Sequence, residues 1–398
     1  RKNMLEWNPS NNADRGRGTS LMDSYRTMWA APVTAVLTAA LLVAARTPSV
    51  WAIAFPILAL WFISPAMAWW ISQPIVNRRV ILTEDETFFL RKLARKTWRF
   101  FETFVGDDDH WLPPDNYQEK PVSVIAHRTS PTNMGLALLA NLAAYDFGYI
   151  PTGQLLDRTV KTLNSMGSLE RYCGHFYNWY DTQSMMPLHP RYVSSVDSGN
   201  LAGHLLTLQP GLLALADDPV LGKQFFDGLN DTLGVLVDAY MVLHDALPDN
   251  LSALQVALEG MCRSQPVTIF SLNSCLDKLE KAAVSVVAEI EVIEPNREKL
   301  VWWSHAFARQ CRAAIDELVF FDLGLKSFPA DGTELGGIPT LRELLNRTGT
   351  LTAQRAEERM AIIEGIALQC DALAQMEYDF LYDDMRHQLA IGYNVDEH

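Results

Sequence analysis

Three carboxylates stand among aromatic and amide residues in the first half of the chain: Glu119, Asp181 and Asp197. Hydrolysis or transfer of a glycosidic bond needs two carboxyl groups flanking the scissile bond, so these are the weak catalytic candidates. The surroundings fit a sugar better than a core. "WLPPDNYQE" offers Trp111, Asp115, Asn116, Tyr117, Gln118 and Glu119 on a loop that Pro113 and Pro114 keep out of a helix. "GHFYNWYDT" sets Tyr177, Trp179 and Tyr180 around Asn178 and Asp181. Flat rings stack on the C–H faces of a sugar, and fixed amides and carboxylates meet its hydroxyls. A core would not place Asn and Asp amid rings without partners. The expectation is a stacking platform of Tyr177, Trp179 and Tyr180, with His175 titrating near neutrality.

"AHRTSPTNMG" adds Arg128, placed to hold one of these carboxylates, and Ser130-Pro131, which reads as a helix start. Capping and a satisfied buried histidine at His127 explain the same stretch equally well. "SSVDSGNLAGHL" adds Asn200 and Asp197, the latter a helix cap, a ligand or a carboxylate supporting one. The acidic run Asp107–Asp109 reads as a solvated surface loop without EF-hand spacing, and no metal site is expected.

Other chemistries find no support. Ser194 and Ser195 lie in no G-x-S-x-G elbow, and neither a Walker loop nor G-x-G-x-x-G occurs. A net charge of −14 argues against a nucleic-acid partner. The five cysteines have no C-x-x-C spacing, so disulfide scaffolds and zinc sites are not expected.

The elements that must position these residues are helical. Met28–Ala45 and Val50–Ser72 are apolar runs joined by "RTPS", and predict a transmembrane hairpin over 28–73 after a cytoplasmic lead-in, 1–27. Arg15, Arg17 and Arg26 flank one end; Arg78, Arg79, Arg91 and Lys92 flank the other, which places both ends on the cytoplasmic side. Thr83 and Glu86 form a capping-box pattern ahead of an amphipathic run. Helical periodicity then recurs to Phe380 without strand alternation. Long helices joined by aromatic and acidic loops suggest an (α/α) toroid of the glycoside-hydrolase type over 83–398. The fold class expected is all-α.

Taken in order, "RKNMLEW", "ARKTWRFFETFV", "WLPPDNYQE", "AHRTSPTNMGL", "GHFYNWYDT", "SSVDSGNLAGHL" and "AIGYNVDE" resemble the cyclic β-1,2-glucan synthases of proteobacteria. The match is weaker from Gln209 to Gln375. That resemblance implies a large protein of the bacterial inner membrane. Its glycosyltransferase module would use UDP-glucose with a divalent metal, and its middle toroid module would cyclise a linear β-1,2-glucan by retaining transglycosylation. No cofactor is expected in this segment itself. Partners would be the glucan chain, membrane lipid and the other modules of the polypeptide, with the helical domain cytoplasmic. The chain would be the last membrane hairpin and the first part of the middle module, truncated at its C-terminus. Trp111, Asp115, Asn116, Gln118, Glu119, Trp179, Tyr180 and Asp181 would line the glucan cleft, while the main paired glutamates would follow "GYNVDE". At His398 the family pattern has glycine. The alternative is a non-catalytic, membrane-tethered glucan-binding or scaffolding module.

Overall fold

The computed structural model describes residues 20–45, 48–73, 81–264, 266, 268–323 and 337–397. Outside them lie most of the expected lead-in with Arg15 and Arg17, Arg46 and Thr47 of the expected hairpin connection, and Arg78, Arg79 and His398. The chain forms two compact units, Arg1–Leu82 and Thr83–His398.

The first unit contains α1 (Leu21–Thr27), α2 (Ala30–Ala44) and α3 (Pro48–Ile71). Ser20 caps α1 by accepting from the Asp23 amide. Many apolar side chains of α2 and α3 are exposed: Leu41 is 71% exposed, Ile53 75% and Trp70 72%. Within α3, Ile53–Ile71 is long and apolar enough to cross a membrane. The first expected span, Met28–Ala45, is filled almost entirely by α2. α1 and α2 meet at a 72° bend, and α2 alone rises only about 22 Å, short of a bilayer core of roughly 30 Å.

In the second unit, Thr83 and Glu86 exchange the two hydrogen bonds of a capping box at the start of α4 (Glu84–Phe104). There follow α5 (Pro131–Asp146), α6 (Thr152–Ser168), α7 (Ser195–Ala214), α8 (Gln224–Met241), α9 (Asp249–Ser264), α10 (Ile269–Ile293), α11 (Glu298–Phe320), α12 (Leu341–Leu345) and α13 (Leu351–Ala374). One continuous apolar core runs from Trp98 to Leu381. α7 packs against both α5 and α13, and α6 packs against the same two helices. Close approach of α5 and α7 depends on glycine. A Cβ at Gly135 would lie 2.2 Å from the His204 ring, and one at Gly211 would lie 2.5 Å from Leu142.

Two departures from the sequence reading matter for the site. The helical pattern does not run on to Phe380: α13 stops at Ala374. Beyond it, the Glu377 amide donates to the Cys173 carbonyl, and the Glu377 carbonyl accepts from His175, so the backbone serves a ribbon instead. The loops also fold into two-stranded antiparallel ribbons of two or three residues per strand, too short to show alternation. These strands are β1 (Tyr117–Gln118), β2 (Val124–Ile125), β3 (Arg128–Thr129), β4 (Arg171–Tyr172), β5 (His175–Phe176), β6 (Tyr180–Asp181), β7 (Tyr192–Ser194), β8 (Tyr382–Asp383), β9 (Gln388–Leu389) and β10 (Gly392–Asn394). The pairs are β1–β2, β3–β6, β4–β5, β7–β10 and β8–β9.

Candidate functional site

The β3–β6 ribbon sets Arg128 opposite Asp181 and Thr129 opposite Tyr180. From it a continuous polar network spreads over the ends of α5 and α7. Arg128 donates through Nη2 (3.0 Å) and Nε (3.3 Å) to one oxygen of Asp115. Asn116 donates to that oxygen as well, at 3.0 Å, and Asn133 on α5 donates to the other at 3.3 Å. The Arg128 guanidinium also lies 4.8 Å from the centre of the Trp179 ring. With its amide nitrogen turned toward Asp197, Asn178 donates to that carboxylate at 3.0 Å and accepts from the Trp179 indole at 3.2 Å. Thr132 donates to the other oxygen of Asp197 at 2.6 Å, and Asn200 donates to Thr132 at 3.2 Å. Residues 68 positions apart in sequence thus join in one network. Asp115, Asn116, Arg128, Trp179, Asp197 and Asn200 are brought together, each side chain pinned by its neighbours.

The tyrosines of the expected platform are elsewhere. Tyr177 is 2% exposed and Tyr180 is fully buried. The Tyr180 hydroxyl donates to the Glu170 carbonyl at 2.6 Å and accepts from the Tyr177 amide at 2.8 Å. The Tyr177 hydroxyl donates to the Glu170 carboxylate at 3.2 Å. Both rings are core, and Trp179 remains the half-buried ring of the three. His175 is also fully buried. Its Nε2 faces the Glu377 carbonyl at 2.7 Å, which can only accept, so Nε2 carries the proton and Nδ1 accepts from Ser198 at 2.8 Å. Burial pushes its pKa below the ordinary value of 6.5, so it is a neutral structural histidine rather than a group titrating near neutrality.

The three candidate carboxylates do different things. Asp181 accepts from the Ser184 and Gln183 amides and the Ser184 hydroxyl through one oxygen. The Ser184 amide in particular holds its pKa below the usual carboxylate range, a poor setting for a proton donor. Asp197 is bonded to Thr132 and Asn178 as above. Its own amide is capped by Ser194, which takes the N-cap position instead of Asp197. Glu119 is exposed and lines a separate cleft beside Lys96, Arg99 and Lys299. Gln118 is exposed on β1 opposite Val124.

Trp111 also stands apart. It lines a cavity of about 250 Å³ with Gln154, Asp157 and Arg158. Its indole donates to Asp107 at 2.6 Å. Lys161 and Arg158 lie 4.3 and 5.4 Å from the ring centre. His110 and Trp111 both adopt positive φ, 52° and 61°. The turn is held by bonds from the Trp111 amide to Gly106 and from Thr162 to the Trp111 carbonyl.

Several participants were not singled out by sequence. Asp109, read as solvated, is 5% exposed and accepts from Thr182 and, at 2.8 Å, meets Nδ1 of His127. Asp396 meets the Arg191 amide and Nε at 2.7 Å each and His189 at 2.9 Å. These contacts hold its pKa well below the carboxylate range. Arg191 also reaches Glu170 at 3.3 Å. Asp396 lies 205 residues from Arg191, and no local pattern announces the pair.

No family model matches the chain. A protein described as a glucoamylase from Bacteroides fragilis NCTC 9343 has a crystal structure that shares 16% identity. It covers 41% of this chain and 39% of that one at a TM-score of 0.29, too low to bear on the fold. Sequence likeness is much stronger. The cyclic β-(1,2)-glucan synthase NdvB of Rhizobium meliloti (strain 1021) is 32% identical over 410 residues, covering 99% of this chain. The chain spans 13% of that relative's length. Along nearly all of its length, therefore, this chain is related to one segment of a cyclic β-(1,2)-glucan synthase.

Proposed function

We propose that the chain is part of a membrane-bound cyclic β-1,2-glucan synthase and that its helical unit binds linear β-1,2-glucan during cyclisation. The observation that carries this is the Asp115–Arg128–Trp179–Asn178–Asp197 network. It presents a half-buried indole beside fixed carboxylates and amides in a chain related to NdvB. A rigid array of this kind lowers the ordering cost of binding a flexible glucan. The helices would form part of an (α/α) toroid, a reading supported by the packing of α7 and α6 against the same pair, α5 and α13. Retaining transglycosylation would let the glucan's own non-reducing end attack in place of water, with carboxyls about 5 Å apart.

The membrane reading rests on α3 and the bent α1–α2 pair. In it, the first unit anchors the protein in the bacterial inner membrane with the helical unit cytoplasmic. Membrane lipid, the glucan chain and the other modules of the polypeptide are the partners. UDP-glucose and a divalent metal would serve the glycosyltransferase module, outside this segment.

A second reading, a non-catalytic glucan-binding module, is favoured by the state of the carboxylates. Asp181 is spent on a turn, Asp197 is held by Thr132 and Asn178, and Glu119 lies in another cleft. One experiment separates the readings: incubate the complete synthase with linear β-1,2-glucan and weigh the products. Products one water lighter than a linear glucan of the same number of residues, formed together with the released reducing-end segment, mean cyclisation, and their loss in Trp179→Ala would support a part for the network in that reaction. Binding without such products supports the binding module. Unaltered cyclisation and binding in Trp179→Ala would remove the network from glucan binding and from the reaction.

A further inference from the structure

The cleft that holds Glu119 shares no residue with the Arg128–Trp179 network. Its volume is about 530 Å³, and it lies between α4, β1 and the first turns of α11. Its charge is uneven. Nearby on α4, Arg91 pairs with Asp231 (2.9 Å), Lys92 with Asp238 (2.7 Å) and Arg95 with Glu102 (3.0 Å). Lys96, Arg99 and Lys299 all line the cleft, and none pairs with a carboxylate among the described residues. In a chain of net charge −14, three unpaired cations on one cleft are not a sampling accident of a basic surface.

A second observation is independent of charge. Trp303 lines the same cleft, is 1% exposed, and its indole N–H has no nitrogen or oxygen acceptor. An indole nitrogen only donates, and leaving a buried donor unmatched costs about 1–3 kcal/mol. The donors Lys96, Arg99 and Lys299 thus outnumber the one carboxylate of the cleft, Glu119. Arg99 is steadied 4.5 Å from the centre of the Trp302 ring. Phe104 and Tyr117 pack at 4.7 Å between ring centres and form an apolar wall.

We propose that this cleft binds a phosphate monoester. The phosphoryl oxygens would meet Lys96, Arg99 and Lys299, while the organic part lies on Phe104 and Tyr117. Charge fits this class: three cations against Glu119 leave two positive charges, matching a phosphate monoester that approaches −2 near neutral pH. The ester comes either from a soluble metabolite or from a lipid headgroup.

The test uses the whole chain in phosphatidylcholine nanodiscs, with radiolabelled inorganic phosphate as probe in equilibrium dialysis at low salt. The expected result is saturable binding at one site. Lys96→Glu with Lys299→Glu weakens it by roughly tenfold or more, and Glu119→Gln tightens it by removing the opposing charge. Both lysines are exposed, so folding is unaffected, and circular dichroism checks this. Adding phosphatidic acid to the discs distinguishes the sources. Displacement of phosphate means a lipid headgroup, and undisturbed binding means a soluble ester; both uphold the site. No saturable binding to the wild-type chain, or binding that neither the lysine reversals nor Glu119→Gln alters, overturns it.

Discussion

Arg128 is shared between two partners: its guanidinium grips Asp115 at 3.0 Å and lies 4.8 Å from the centre of the Trp179 ring. The indole edge is held in turn by Asn178. A cation lies over the ring and an amide fixes its edge; under the proposed function a ligand would meet the other face. This gives the network a direction: a saccharide would stack on Trp179 with Asp115, Asn116 and Asn200 at its margins.

Truncating the ring tests that direction. Trp179→Ala is expected to weaken binding of linear β-1,2-glucan by roughly tenfold, about 1.4 kcal/mol, the scale of a lost aromatic contact. Trp179→Phe should keep most of the affinity. Isothermal titration of both variants decides it, and equal affinities for Ala and wild type would remove Trp179 from the site.

Tyr180 makes the opposite case. Its ring is fully buried and its hydroxyl links the Glu170 carbonyl to the Tyr177 amide. Tyr180→Phe leaves both backbone groups without this partner and should cost about 1–3 kcal/mol of stability. Glucan affinity should stay unchanged under folding conditions. A denaturant melt paired with titration separates the two effects; a loss of affinity without a loss of stability would return Tyr180 to the binding surface.

These two residues also show what could be read ahead of the structure. Trp179 and Tyr180 are adjacent in sequence, yet Trp179, just ahead of β6, stays half-buried while Tyr180, which opens β6, is fully buried. No alternation long enough to reveal this exists in the sequence. The capping box at Thr83, the helix start at Ser130 and a carboxylate partner for Arg128 were legible because each depends on local chemistry or residue type. Which carboxylate Arg128 takes, and the burial of Asp109, depend on how ribbons pack. The Arg191–Asp396 pair spans 205 residues, and no pattern in one sequence reports contact at that range.

His175 gives the fold a pH dependence of known sign. Burial holds its pKa below 6.5, the ordinary value, so the native state disfavours its proton relative to the unfolded chain. This contribution to stability is complete above pH 6.5 and is lost as pH falls through the depressed native value. Folding stability measured by denaturant between pH 8 and pH 5 should decline, and the decline should shrink in His175→Gln. The same slope in both proteins would assign it to other groups.

The terminal ribbon carries its own acid sensitivity. Asp396 fastens Arg191 and His189 while Gly392–Asn394 pair with Tyr192–Ser194. Hydrogen bonds from the Arg191 amide and side chain lead the depression of its pKa below the ordinary 3.8. A depressed carboxylate stabilises the native state above its unfolded pKa, and the effect is lost as pH falls below 3.8 and through the native value. Asp396→Asn should reproduce the acid effect at neutral pH: faster amide exchange at Tyr393 and Val395, with exchange in α5 and α7 unchanged. The β7–β10 pairing would then loosen while the core it rests on holds, because the side-chain contacts of Asp396 go to residues 189 and 191 and not to those helices. Hydrogen exchange read by mass spectrometry follows both regions at once; exchange near residue 393 that ignores the substitution would show that the backbone ladder alone fastens the ribbon.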